Sequence, residues 1–136
     1  MTIKRIDHIA VVVVNLASAL AVYRDALGMA LDRVETIPEQ DVKIGFLPSG
    51  DTEIELLEPL SADSGIGRYL ARRGEGLHHI CLEVEDLAAT LAELKAGGAQ
   101  LIDETPRRGA HGQIAFIHPK GAHGVLIELL EREEKR

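Results

Sequence analysis

Apolar and polar positions alternate in two patterns along the chain, one typical of strands and one typical of helices. An apolar, β-branched run at residues 6–14 predicts a strand. Apolar residues at helical spacing follow it, with Asn15 placed to cap the helix and Gly28 placed to end it. Three more strands are predicted at 31–37, 42–47 and 52–57, separated by turn residues. The first half is therefore predicted to be β-α-β-β-β.

The second half repeats this order. A strand is predicted at 77–84, then a helix capped by Asp86 and ended by Gly97 and Gly98. Three strands are predicted to follow at 100–103, 113–118 and 125–130, with residues 105–112 as a loop. The segment between the halves is predicted to be a linker with a short helix. The boundaries are module one at about 3–60, the linker at about 61–75 and module two at about 76–131.

Residue identities repeat as well as the pattern. His79 follows His8 by 71 positions, and Asp86 follows Asn15 by the same number. The segment Ile-Glu-Leu-Leu-Glu at 54–58 returns at 127–131. A pattern repeated over half the chain indicates a duplicated module. We therefore predict a single α+β domain over residues 1–136. Its two tandem β-α-β-β-β modules would form one eight-stranded mixed sheet curled around a metal site, with the helices on the outer face.

The duplicated module carries a histidine near its start and a glutamate near its end. Successive side chains point to opposite faces of a strand. Glu55 and Glu128 each lie between two apolar residues that are predicted to pack under a helix, so both carboxylates should point to the other face. His8 is predicted to share that face, and so is His79, whereas His78 should point away from it.

Two inward carboxylates in matching positions are costly to bury without a positive partner. Two imidazoles and two carboxylates form a mixed nitrogen and oxygen set that Co, Mn, Ni, Zn or Fe accepts. We therefore predict a divalent metal site made by His8, Glu55, His79 and Glu128.

Composition narrows the class of protein. A formal net charge of −7 argues against nucleic-acid binding. A single cysteine, Cys81, excludes an internal disulfide and suits the cytoplasm; we expect it to be a small buried residue and no nucleophile. The apolar run at 9–14 is too short to span a bilayer, so no membrane association is expected. The mixed charges of residues 131–136 predict a solvated tail.

Four segments resemble one family closely. They are Asp7–Val11, Gly76–Val84, His118–Lys120 and Gly124–Leu129. Together they resemble the methylmalonyl-CoA epimerases, a family of the vicinal-oxygen-chelate superfamily, and the similarity covers nearly the whole chain. The resemblance implies a metal-dependent isomerase that interconverts (R)- and (S)-methylmalonyl-CoA in propionate metabolism, with the four ligands above, and a homodimer.

The resemblance also implies roles for individual residues. Epimerisation needs one proton removed from a carbon and another returned to its opposite face, so two groups must flank that carbon. The resemblance assigns one role to Glu39, and the other would fall to Glu128. His111 and Lys120 are candidates for binding the substrate. Coenzyme A is polyanionic, so Arg72-Arg73, Arg107-Arg108 and Lys120 are candidates for its negative groups.

Two other functions stay open at this point. A glutamate at position 55 also makes the ligand set similar to that of bacterial glyoxalase I, a lactoylglutathione lyase. A metal-free protein of the same fold could instead bind a small ligand without catalysis. Degraded ligand positions would be expected in that case, whereas all four are intact in this sequence.

Overall fold

The computed structural model describes residues 2–133. Its eight strands are β1 Ile3–Val12, β2 Arg33–Ile37, β3 Val42–Ser49, β4 Thr52–Pro59, β5 Gly76–Val84, β6 Arg107–Arg108, β7 Gly112–Ile117 and β8 Leu126–Arg132. Its three α-helices are α1 Leu16–Leu20, α2 Gly65–Arg73 and α3 Leu87–Ala96. A π-helical turn, Ala21–Ala26, continues α1, and two 3-10 turns, Pro38–Gln40 and Pro119–Ala122, precede β3 and β8.

The strands form one eight-stranded sheet in the order β2-β3-β4-β1-β5-β8-β7-β6. β1 runs parallel to β4 and β5 runs parallel to β8, whereas the β2–β3, β3–β4, β6–β7 and β7–β8 pairs are antiparallel. The predicted α+β class with a mixed sheet of eight strands is confirmed. Within residues 2–133, no helix is long and apolar enough to cross a bilayer.

The chain folds as two compact units, and the division between them falls within β1 and between His78 and His79 of β5. One unit is His8–His78, and the other comprises the described residues before and after it. The prediction of a single domain with modules at about 3–60 and 76–131 stays a prediction. In each unit one pair of neighbouring strands is parallel, β1–β4 in His8–His78 and β5–β8 in the other unit. The strands beyond β4 and β8 pair antiparallel.

The unit His8–His78 has an apolar cluster on each face of its strands. On one face, Leu16 and Leu20 of α1 pack against buried residues of β3 and β4, among them Leu47 and Leu56. On the other face, three residues of α2 pack against a second buried cluster. These residues are Ile66, Tyr69 and Leu70. The expectation that the helices lie on one outer face is therefore wrong for α2, because its apolar side meets the face that carries His8 and Glu55.

The other unit has its main cluster under α3. Leu87 and Leu91 of this helix pack against Val84, Ala115 and Leu129, with Ile127 beside them. The predicted placement of the residues that flank Glu128 is thereby confirmed.

Both predicted helix caps are present. The Asn15 side chain accepts a hydrogen bond from the Ser18 backbone N–H at 2.8 Å, and the Asp86 side chain accepts one from the Ala89 N–H at 3.0 Å. Each cap satisfies one of the N–H groups that the first turn of a helix leaves without an intrahelical acceptor.

A second acceptor at each helix start comes from the end of a strand. Glu58 Oε1 accepts from the Leu16 N–H at 2.6 Å, and Glu131 Oε1 accepts from the Leu87 N–H at 2.8 Å. These are the last glutamates of the repeated Ile-Glu-Leu-Leu-Glu segments. A carboxylate at a helix N-terminus also interacts favourably with the helix dipole. Each repeated segment therefore supplies an acceptor for a helix start as well as a candidate metal ligand.

The second strand of the second module was predicted in the wrong place. Residues 100–103 contribute only an isolated bridge, Leu101 to Ile117, and the edge strand is β6. An Asp103 carboxylate oxygen accepts from the Phe116 N–H at 2.9 Å, in the position that a strand carbonyl would take. The side chain therefore ends the ladder, and pairing with β7 resumes at Arg107 and Arg108, inside the predicted loop.

A largely buried ionic network joins β1, β5 and β8 within the second unit. Arg5 donates to Asp7 at 3.0 Å and to Glu83 at 2.8 Å, and Arg132 donates to Asp7 at 2.7 Å. Although burial by itself lowers it, the hydrogen bonds to Glu83 and Asp7 leave the pKa of Arg5 above its ordinary value. The predicted solvated tail is therefore wrong for residues 131–132, and residues 134–136 lie outside the described part.

Candidate active site

His8 and Glu55 form a close pair in the unit His8–His78. Ala10 pairs with Glu55 in the parallel β1–β4 register, which places His8 two positions before that partner and on the same face. His8 Nδ1 lies 3.4 Å from Glu55 Oε2. The two side chains are 10% and 13% exposed, so both are largely shielded from water.

The second unit contains the same arrangement. Cys81 pairs with Glu128 in the parallel β5–β8 register, so His79 precedes this partner by two positions, as His8 does in the first unit. His79 Nε2 lies 3.1 Å from Glu128 Oε1, and the side chains are 11% and 13% exposed. Cys81 is fully buried, as expected for a small core residue.

Each pair thus offers an imidazole nitrogen and a carboxylate oxygen at one place. A carboxylate shielded from water needs a cation or hydrogen-bond donors to offset the loss of hydration. Imidazole nitrogen and carboxylate oxygen are both common ligands of first-row divalent metals. The chemistry of both donor sets therefore fits a borderline divalent ion.

His78 has different surroundings from its neighbour. Its ring packs edge-on against Tyr69 of α2, with the ring centroids 4.6 Å apart. The Tyr69 hydroxyl donates to the Leu77 carbonyl at 2.8 Å, which holds the aromatic ring beside the strand. His78 therefore has a packing role at the start of β5, whereas His79 meets a carboxylate.

An aromatic ring flanks each carboxylate, a feature that the sequence interpretation missed. Phe46 is the cross-strand partner of Glu55, and Phe116 is the partner of Glu128. Cross-strand partners share a face and lie in contact distance. They are the two phenylalanines of the chain and lie 70 positions apart, close to the repeat spacing, so the duplication itself could have revealed them.

A guanidinium lies over each of these rings. The Arg33 guanidinium carbon is 3.9 Å from the Phe46 centroid, and that of Arg107 is 5.3 Å from the Phe116 centroid. Hydrogen bonding to Glu35 raises the pKa of Arg33 above its ordinary value. In each unit, the strand next to the glutamate carries an aromatic ring, and a guanidinium lies over that ring.

The remaining predicted residues lie on exposed turns. Glu39 is on the 3-10 turn between β2 and β3, beside the Val42–Pro59 pair. Glu55 lies four positions from Pro59 along β4, which is roughly 13 Å at the usual rise per residue. His111 lies in the turn between β6 and β7, and Lys120 lies on the 3-10 turn before β8, with its N–H donating to His118. Their proposed roles stay predictions.

A family model matches this arrangement. Residues 7–116 match the model of the Glyoxalase/Bleomycin resistance protein/Dioxygenase superfamily, so the chain belongs to that superfamily. Within it, the relatives include an ethylmalonyl-CoA/methylmalonyl-CoA epimerase of Cereibacter sphaeroides. That protein is 40% identical over 130 residues, which are 93% of this chain and 97% of the relative.

Two further matches have similar coverage. An uncharacterized protein of Bacillus subtilis, YqjC, is 43% identical over 93% of this chain and 91% of its own length. A methylmalonyl-CoA epimerase solved in complex with methylmalonyl-CoA and NH4+ has a TM-score of 0.83 and 36% identity, covering 97% of this chain and 96% of that one. A probable lactoylglutathione lyase of Vibrio cholerae is more distant, at 30% identity over 98% of this chain and 95% of its length.

Proposed function

We propose that the chain is an epimerase that interconverts (R)- and (S)-methylmalonyl-CoA. The observation that carries the proposal is the matched pair of His–Glu contacts, His8–Glu55 and His79–Glu128, at the same register positions of both units. The epimerases among the relatives, at 36% and 40% identity over nearly the full chain, support the choice of substrate. The Vibrio lyase at 30% gives weaker support to the glyoxalase alternative.

We further propose that His8, Glu55, His79 and Glu128 are ligands of one divalent ion. The two carboxylates and two imidazoles suit Co, Mn, Ni, Zn or Fe. When bound, such an ion supplies positive charge that offsets the negative charge of an enolate. The flanking rings of Phe46 and Phe116 shield the carboxylates from water on one side, which strengthens electrostatic interactions there.

Glu39 and Glu128 carry the proton transfers in this proposal. One carboxylate removes the proton between the substrate carboxylate and the thioester carbonyl, so that the C–H bond breaks and its electron pair enters the enolate. The other group delivers a proton to the opposite face, and a new C–H bond forms with inverted configuration. The exposed turn that carries Glu39 leaves its carboxylate open to an incoming substrate.

Incubation of metal-loaded protein with one methylmalonyl-CoA epimer in deuterated water tests the function. Chiral analysis should show both epimers, and the product should carry deuterium at the inverted carbon. Turnover of the hemithioacetal of methylglyoxal and glutathione, without epimerisation, would instead identify a glyoxalase. Binding of small ligands without either reaction would identify a binding protein.

Three further assignments accompany the function. A cytoplasmic location follows from the composition, with its single buried cysteine. A homodimer and a place in propionate metabolism follow from the family resemblance. All three stay predictions, which fractionation of cells, light scattering and growth on propionate can test.

A further inference from the structure

The Arg–Phe–Glu arrangement occurs once in each unit, yet the two guanidinium groups are held differently. Arg33 Nε donates to Glu35 at 2.9 Å and Arg33 Nη1 donates to Asp32 at 2.7 Å. Two carboxylates therefore neutralise and orient it. The Arg33 guanidinium also lies over the Phe46 ring, so its role is structural.

Arg107 has fewer anionic partners. Within residues 2–133 its ion pair is with Asp103, whose Oδ1 lies 3.2 Å from Arg107 Nε. The other Asp103 oxygen already accepts from the Phe116 N–H. The Arg107 side chain is 55% exposed. Its two terminal nitrogens donate no hydrogen bond within residues 2–133, so both can bind a further anion.

The neighbouring Arg108 provides a contrast. Successive side chains on a strand point to opposite faces, so Arg108 points away from the face of Phe116 and Glu128. Both of its terminal nitrogens are engaged by the carboxylate of Glu133, one of them at 2.7 Å. Hydrogen bonding to Glu133 raises the pKa of Arg108 and, in return, Arg108 lowers that of Glu133.

We propose that Arg107 binds an anionic oxygen group of the acyl-CoA substrate, a carboxylate or a phosphate. The proposal rests on the proposed epimerase function. A guanidinium presents planar, paired donors that match carboxylate and phosphate oxygens. Phe116 and Asp103 restrict its motion, so less conformational entropy is lost on binding.

Position and charge both support this role. Arg107 lies two strands from Glu128 on the same face, roughly 10 Å across the sheet. An acyl-CoA with its reacting carbon near Glu128 extends over such a distance. A protein with a net charge of −7 repels a polyanion in general, so local positive charge on this face is needed for binding.

Steady-state kinetics of Arg107→Gln, with Arg24→Gln as the control, test the proposal. Arg107→Gln should raise KM for methylmalonyl-CoA by about 10- to 100-fold with little change in kcat, because a hydrogen-bonded charge pair is lost in ground and transition states alike. Arg107→Lys should recover part of this loss, since it restores the charge without the paired donors. Arg24→Gln removes an exposed arginine that is paired with Asp25 and lies in no candidate site, and it should behave as wild type. Equal KM values for wild type and Arg107→Gln would overturn the proposal.

A substrate without phosphates identifies the anion. With the methylmalonyl thioester of N-acetylcysteamine, a higher KM for Arg107→Gln than for wild type indicates that Arg107 binds the carboxylate, and equal KM values indicate that it binds a phosphate.

Calorimetric titration with coenzyme A and with methylmalonate covers the case in which wild type shows no epimerisation. Weaker binding of either ligand to Arg107→Gln would then still support the anion site, while unchanged binding of both would refute it.

Discussion

His78 and His79 are adjacent and of the same chemical type, but they have different neighbours. His79 contacts Glu128, whereas the His78 ring packs against Tyr69. We therefore expect His79→Ala to abolish metal binding and His78→Ala to retain most of it. Metal content per chain, measured after reconstitution with cobalt, distinguishes the two variants, and equal losses would contradict the assignment.

A substitution of Glu39 alone allows proton transfer to be separated from metal binding. It lies on an exposed turn and outside the duplicated ligand positions. Glu39→Gln should keep the metal and the fold while lowering turnover on the order of 10²–10⁴-fold, the usual contribution of a positioned acid or base. Glu128→Gln should lower metal content and turnover together. Parallel measurement of both quantities is the test, and near-wild-type epimerisation by Glu39→Gln would remove Glu39 from the mechanism.

The ligand candidates could be predicted because their information is local. Strand alternation fixes the face of a residue from its immediate neighbours, and duplication presents the same local pattern twice. Phe46 and Arg33 were missed because their relation to Glu55 depends on the registers of β2 with β3 and β3 with β4. Cross-strand register is set by contacts between distant parts of the chain, and a single sequence does not contain it directly.

At the scale of elements, the starts of α1 and α3 each depend on a strand that comes later in the chain. Glu131→Ala should lower the free energy of unfolding by about 1.5–2 kcal/mol, since it removes a charged acceptor from the first turn of α3. Glu58→Ala should have a comparable effect through α1, because its contact is the same. Urea denaturation measures both.

The control for these cap variants is Glu104→Ala. Glu104 pairs with Lys95 on the surface, where both side chains are more than half exposed. Exposed pairs contribute little to stability. If Glu104→Ala and Glu131→Ala shift the urea midpoint equally, the contact of Glu131 with α3 has no special stabilising role.

The edge strand β6 could not be predicted from the local sequence. Residues 100–103 have an apolar pattern, but Asp103 directs its carboxylate to the Phe116 N–H and stops the ladder. The short β6 contains two arginines and follows a proline, so neither propensity nor alternation indicates a strand. Pairing with β7 determines it, just as packing against the sheet determines the face that α2 covers.

At the scale of the whole molecule, the network of Arg5, Asp7, Glu83 and Arg132 joins the first strand to the last. Asp7 and Arg132 are 125 positions apart, and their side chains are 3% and 12% exposed. Arg132→Met should destabilise the fold by about 3 kcal/mol, because it leaves part of a buried charge without its partner. Arg108→Met, at an exposed pair, should change stability little. A double-mutant cycle with Asp7→Ala measures the coupling, and additive effects would show that the contact contributes nothing.

The number of ions that the molecule binds depends on how its two His–Glu pairs act. If the pairs share one ion, wild type should hold about one divalent ion per chain, and His8→Ala or His79→Ala should each reduce this to nearly zero. If each pair binds its own ion, wild type should hold about two and either variant about one. We expect the shared ion, because two ligands from a single pair leave most positions of a divalent ion to water.

A shared ion should also raise the free energy of unfolding. At 100 times its dissociation constant it should stabilise wild type by about 2.7 kcal/mol, a gain that a chelator reverses. Neither variant should show that gain, so metal analysis combined with thermal unfolding, with and without chelator, decides between one ion and two.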